Sequence, residues 1–188
     1  MKAEYKNFKG KTYFVRQTLT KTGKVKYVCS TKKSDSDLMT LPAGMEFYEK
    51  ANGLVGVRKK LVSKITDEEY RFVQTECKRL AAPNWVRFEL AANSVSVYSA
   101  EKIDLSSLVG FAIRCSLKKA DSLLQAAADF LPSLRFTLAD EKTREFSVER
   151  MCFMGEKDEW LFLENGKLDE LVKKYAPHIE KESMFDFL

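Results

Sequence analysis

The sequence predicts an α+β fold, with antiparallel β-hairpins and a meander packed with about three helices. Three observations lead there. Paired stretches of alternating apolar and polar residues are joined by glycine-containing turns, segments of helical spacing are interspersed among them, and the strand–helix–strand rhythm of a doubly wound parallel sheet is missing. The 188 residues are 45% apolar and 31% charged, which is globular composition and enough chain to bury a core without disulfide or metal.

The elements follow in the order ββββ-α-ββ-α-βββ-α. Residues 11–19 and 25–31 flank Thr20-Lys21-Thr22-Gly23-Lys24. A three-residue loop with Gly23 in the left-handed position opposes Leu19 to Val25, Val15 to Cys29 and Tyr13 to Thr31 on one face. Arg16, Thr18, Lys26 and Ser30 then share the other face with Phe14 and Val28. Asn52-Gly53 between residues 45–49 and 54–60 marks a second hairpin. Thr66-Asp67-Glu68-Glu69 reads as a capping box opening a helix over 67–80, with Phe72, Val73, Cys77 and Leu80 on one stripe. Residues 85–90 and 94–99 alternate as a third hairpin, and 101–115 fit no single element. Leu117, Ala120, Leu123, Leu124, Ala127 and Phe130 give helical spacing over 116–130, ending before Pro132. Strands are expected over 134–139, 145–154 and 159–163. Asn165-Gly166 then leads into a helix over 167–176, whose buried stripe is Leu168, Leu171, Val172 and Tyr175. The expected organisation is a basic β-hairpin subdomain, 1–64, and an α+β subdomain, 65–188, in one compact unit.

Several chemistries lack their residues. Cys29, Cys77, Cys115 and Cys152 are far apart, with no CxxC or CxxH to share a structural zinc, so they are expected as small buried hydrophobes in a reducing, cytoplasmic setting. His178 is the single histidine and sits beside Pro177 at a helix break, a poor position for a triad. The eight glycines form neither GxGxxG nor GxxxxGK[ST]. Carboxylate clusters fall in loops or at a helix start, without a strand-borne acidic pair followed by lysine. No apolar run is long enough to span a bilayer. The expectation is a protein without cofactor, metal or membrane association, acting by binding rather than catalysis.

Charge supplies the positive signal. Residues 1–64 hold 15 Lys plus Arg against 5 Asp plus Glu, a net of +10, while residues 65–188 carry −5. Lysine and arginine neutralise phosphates and release counterions, and interleaved aromatics offer stacking faces. The expected nucleic-acid-binding residues are Lys11, Arg16, Lys21, Lys24 and Lys26, with Phe14 as a stacking face. The competing reading is a solvated face on which lysines block edge-to-edge aggregation.

A second candidate lies in the last residues, KESMFDFL. Met184, Phe185, Phe187 and Leu188 either pack on the core or form an anchor for a protein partner. The leading expectation is therefore an accessory protein that contacts nucleic acid, or another polyanion, through its basic hairpins. A protein–protein adaptor using the hairpins or the tail, and an enzyme whose site converges from distant segments around His178 or Cys115, are the alternatives.

Overall fold

The computed structural model describes residues 2–81, 85–100, 123–153 and 157–187. It is an α+β protein built from antiparallel sheets. The chain divides into two compact units, Met1–Leu61 with Asp104–Ala128, and Val62–Ile103 with Asp129–Leu188. The first boundary falls close to the point where the sequence changes from basic to acidic.

In the first unit, β1 (Glu4–Lys6), β2 (Thr12–Leu19) and β3 (Val25–Ser30) form one sheet, and β4 (Met45–Glu49) and β5 (Val55–Lys59) form a separate hairpin. The β2–β3 register pairs Leu19 with Val25 and Val15 with Cys29, as the three-residue loop requires. Tyr13 pairs with Tyr5 of β1, while β3 ends at Ser30, before Thr31. Both hairpins close in the same way. The Thr20 amide donates to the Lys24 carbonyl, the Lys50 amide donates to the Leu54 carbonyl, and Gly23 and Gly53 take φ of 75° and 80°. Positive φ at these positions is open to glycine at no steric cost.

Ala3, Val15 and Leu41 form the small core of this unit, with Tyr27, Cys29, Met45, Phe47 and Val57 packed around them. Asn7 fastens the turns together. Its buried side-chain amide donates to the Gly53 carbonyl at 2.6 Å, and its side-chain oxygen accepts from the Lys11 amide at 2.8 Å. Tyr48 lies across the sheet from Gly56, where a Cβ would come within 2.6 Å of the ring. The absence of a side chain there admits the aromatic ring.

The second unit is a five-stranded antiparallel sheet in the order β10-β9-β8-β7-β6. Its strands are β6 (Val86–Leu90), β7 (Ser94–Ala100), β8 (Phe130–Asp140), β9 (Glu145–Phe153) and β10 (Asp158–Lys167), accompanied by helices α1 (Asp67–Leu80) and α2 (Leu168–Tyr175). The capping box forms as read: the Glu69 amide donates to Thr66 Oγ1 at 3.2 Å, and Glu69 Oε2 accepts from the Thr66 amide at 2.9 Å. Leu168, Leu171, Val172 and Tyr175 are buried, as their spacing predicts. They join Val73, Cys77, Val95, Val97, Leu134, Phe136, Phe146 and Val148 in the main core.

Two boundaries differ from expectation. Residues 123–127 are helical, but Phe130 already belongs to β8, and Pro132 lies inside that strand. The sheet accommodates the proline because β8 begins pairing with β9 only at Leu134 and the β7–β8 register shifts between Val97 and Tyr98. Pro132 therefore faces Tyr98 beside a β-bulge, a place where a strand tolerates proline. Asn165-Gly166 is strand, not a turn: β10 shifts register between Phe162 and Glu164, continues to Lys167, and passes directly into α2. The expected segment 101–115, and residues 116–122 of the expected helix, lie outside the described residues.

Candidate nucleic-acid interface

The β2–β3 hairpin changes character halfway along. Its base is clamped. The Leu38 amide donates to the Val15 carbonyl, and the Ala3 amide donates to the Met39 carbonyl, so the 37–39 segment runs beside β2 where β1 ends. Arg16 Nε donates to Asp37 Oδ1 at 2.5 Å, and its Nη2 donates to the Lys32 carbonyl. Burial pushes the Asp37 carboxyl up, but the hydrogen bonds from Arg16 and from the Ser34 amide outweigh it and hold the group below the usual carboxylate value.

Past Arg16 the cover stops. Gln17 to Lys26 are ten consecutive exposed residues. Both faces are bare: Leu19 and Val25 on the side that carries Val15 and Cys29, and Thr18 and Lys26 on the other. A two-stranded ribbon with neither face packed is an arm standing away from its base. At its tip Thr20 Oγ1 accepts from the Lys24 amide at 3.1 Å, which fixes the loop that presents Lys21 and Lys24.

The sequence from Gln17 to Ser34 contains no Asp or Glu. Four of the five acids in residues 1–64 are engaged elsewhere. Glu4 lies 3.7 Å from Lys2, Asp37 is held by Arg16, and Glu46 accepts from Arg58 at 2.9 Å. Glu49 accepts from the Tyr5 hydroxyl at 2.9 Å and the Phe8 amide at 3.0 Å. Lys21, Lys24 and Lys26 are exposed, and none has an ion-pair partner among the described residues.

The structure thus separates the residues singled out from sequence. Lys21, Lys24 and Lys26 cluster on the distal arm. Arg16 lies on the same ribbon with its guanidinium committed to Asp37. Phe14 is half-buried, with Lys33 Nζ 5.9 Å from its ring centre, so it is not an open stacking face. Lys11 is exposed at the far end of β2, roughly 26 Å of strand from the tip. Sequence reading missed two features here. Lys32 and Lys33 stand exposed just past the end of β3, and the Leu19–Val25 pair, placed on the packed face by parity, is solvent-exposed. Strand parity reports which face a residue is on, not how far the covering layer reaches.

The C-terminal candidates fold back. Met184 is buried in the main core, and the Phe187 ring packs edge-on against Tyr175 at 5.0 Å and His178 at 4.8 Å. Those side chains are occupied within the second unit. Leu188 and the side chain of Phe185 lie outside the described residues. His178 Nδ1 hydrogen-bonds with Ser183 Oγ at 2.8 Å, a structural role within the same turn. Burial pushes the Cys77 thiol up to about 12, leaving it protonated and inert as a nucleophile at neutral pH. Cys115 falls outside the described residues. Among the described residues, no three His, Cys, Asp or Glu side chains converge as a metal site, and no helix is long and apolar enough to cross a membrane.

No protein-family model, curated protein or solved structure matches the chain.

Proposed function

We propose that the protein is a non-catalytic nucleic-acid-binding accessory protein whose β2–β3 arm contacts the phosphate backbone. One observation carries this reading: the ten exposed residues Gln17–Lys26 present Lys21, Lys24 and Lys26 with no acid in the stretch to neutralise them. A solvated anti-aggregation face needs only scattered lysines on a sheet edge. A free ribbon whose unpaired charges are all of one sign instead attracts a polyanion, and phosphate contacts supply its affinity through counterion release.

Charge reversal tests the reading. The triple variant Lys21→Glu, Lys24→Glu, Lys26→Glu loses duplex affinity by at least roughly 100-fold in a fluorescence-anisotropy titration. Its thermal midpoint stays that of the wild type, because the three side chains support no packing. Unchanged affinity in a folded triple variant refutes the assignment of the arm.

A further inference from the structure

The arm carries an apolar element that phosphate binding does not use. The stripe running along its inner face, Val15 with Cys29, is covered at the base by Met45, Phe47 and Val57 of the second hairpin. It continues past that cover to Leu19 and Val25, which stand directly opposite each other at the last paired position of the ladder. They are 68% and 52% exposed. Around them are Thr18, Thr20 and Thr22 and the three lysines, and no acid.

We propose that the arm enters the minor groove of duplex DNA and that the Leu19–Val25 pair wedges into a base step there, so that binding bends the duplex. This rests on the nucleic-acid reading above and specifies the form of nucleic acid and what binding does to it.

Three arguments select this occupant. The lysines that surround the pair demand an anionic surface, which disfavours an ordinary apolar protein groove. The pair is aliphatic. Single-stranded nucleic acid is held by flat rings on which bases stack, whereas aliphatic wedges part a base step of a duplex and kink it. The arm's own aromatic rings are withdrawn toward its base, Phe14 beneath Lys33 and Tyr27 against the core. Two aliphatic side chains without an aromatic anchor are also a small apolar face for an anionic lipid surface, which draws on a longer amphipathic stripe. A two-stranded ribbon, its strand backbones alone about 4.8 Å apart, is broader with its side chains than the roughly 6 Å minor groove of straight B-DNA, so it enters that groove only as a kink opens it.

The experiment is energy transfer between dyes at the two ends of a roughly 30-base-pair duplex with a central TA step, a length and step at which a bend is readily detected. Wild-type protein brings the ends together. Leu19→Thr with Val25→Thr, which places a strand-favouring β-branched residue at both positions, retains the salt dependence of binding and loses the bend. Lys21→Gln, Lys24→Gln and Lys26→Gln together lower affinity but leave the bend in the complex formed at high protein concentration. If the wild type binds without bending, or the double-threonine variant bends the duplex as the wild type does, the wedge is overturned while nucleic-acid binding stands. If the wild type does not bind duplex even at low salt, both fall. Stronger binding to phosphatidylserine vesicles than to duplex, lost in the double-threonine variant, assigns the tip to a lipid surface and overturns the proposal.

Discussion

The β2–β3 arm and the face of the five-stranded sheet that carries Arg135 and Trp160 both present charged groups beside apolar side chains, but they handle charge in opposite ways. On the sheet, Arg135 donates to both oxygens of Glu149 at 2.7 and 2.9 Å and lies 4.4 Å from the centre of the Trp160 ring. Tyr98 donates to Glu89 at 3.2 Å, and burial together with that carboxylate pushes its phenol up to about 12. These charges answer one another across neighbouring strands, which is how a sheet face is stabilised. The three arm lysines have no such partner. An arginine already paired with a carboxylate has less charge to offer a phosphate than a lysine that has no such partner.

The contrast can be broken in order of expected effect. The arm charge reversal is the largest, removing binding while stability stays level. Next, Arg135→Ala strips Glu149 of its guanidinium and Trp160 of its cation. It lowers the unfolding free energy by about 1–2 kcal/mol in urea titration, and duplex affinity is unchanged. A loss of affinity there would mean that the sheet face, not the arm, is the binding surface.

A third variant acts at the base of the arm. Asp37→Ala frees the Arg16 guanidinium and deletes a nearby negative charge. Duplex binding tightens, and its log–log salt slope steepens by about 1. Unchanged binding would place the contact surface distal to Arg16.

The smallest effect is acid sensitivity in the second unit. Glu69 hydrogen-bonds to the Arg144 side chain and the Thr66 amide. Burial raises its pKa, but these bonds outweigh that and hold it below its ordinary value of 4.5. A depressed folded-state value means that the contribution is present above the ordinary value and is lost as pH falls through the lowered one. The denaturation midpoint therefore declines more steeply with acid in the wild type than in Glu69→Gln. Equal slopes would mean that the Glu69–Arg144 pair adds nothing to acid resistance.

What the sequence discloses here is local chemistry. The capping box at Thr66, the Gly23 turn with its register, and the stripe of α2 each depend on residues within a few positions of one another. A proline or an Asn-Gly pair normally ends an element, yet Pro132 and Asn165-Gly166 lie within strands. Both are tolerated by register shifts that only the neighbouring strands reveal. The site was legible by halves. Composition located the basic hairpin and parity sorted its faces. The commitment of Arg16 to Asp37, 21 residues away, and the point where cover ends beyond Val15 depend on the 37–39 segment and the second hairpin. No local pattern encodes either.

Lysines that meet phosphates release counterions, so contact between the arm and a nucleic-acid backbone has a salt signature. A salt titration of wild-type binding to short duplex and single-stranded DNA and RNA tests it most directly. The expected result is binding whose logarithm falls linearly with the logarithm of salt concentration, strongest for duplex DNA, with a slope magnitude of about 3 or more from Lys21, Lys24 and Lys26. No binding at low salt, or binding insensitive to salt, would contradict it and leave the arm lysines as solvated surface.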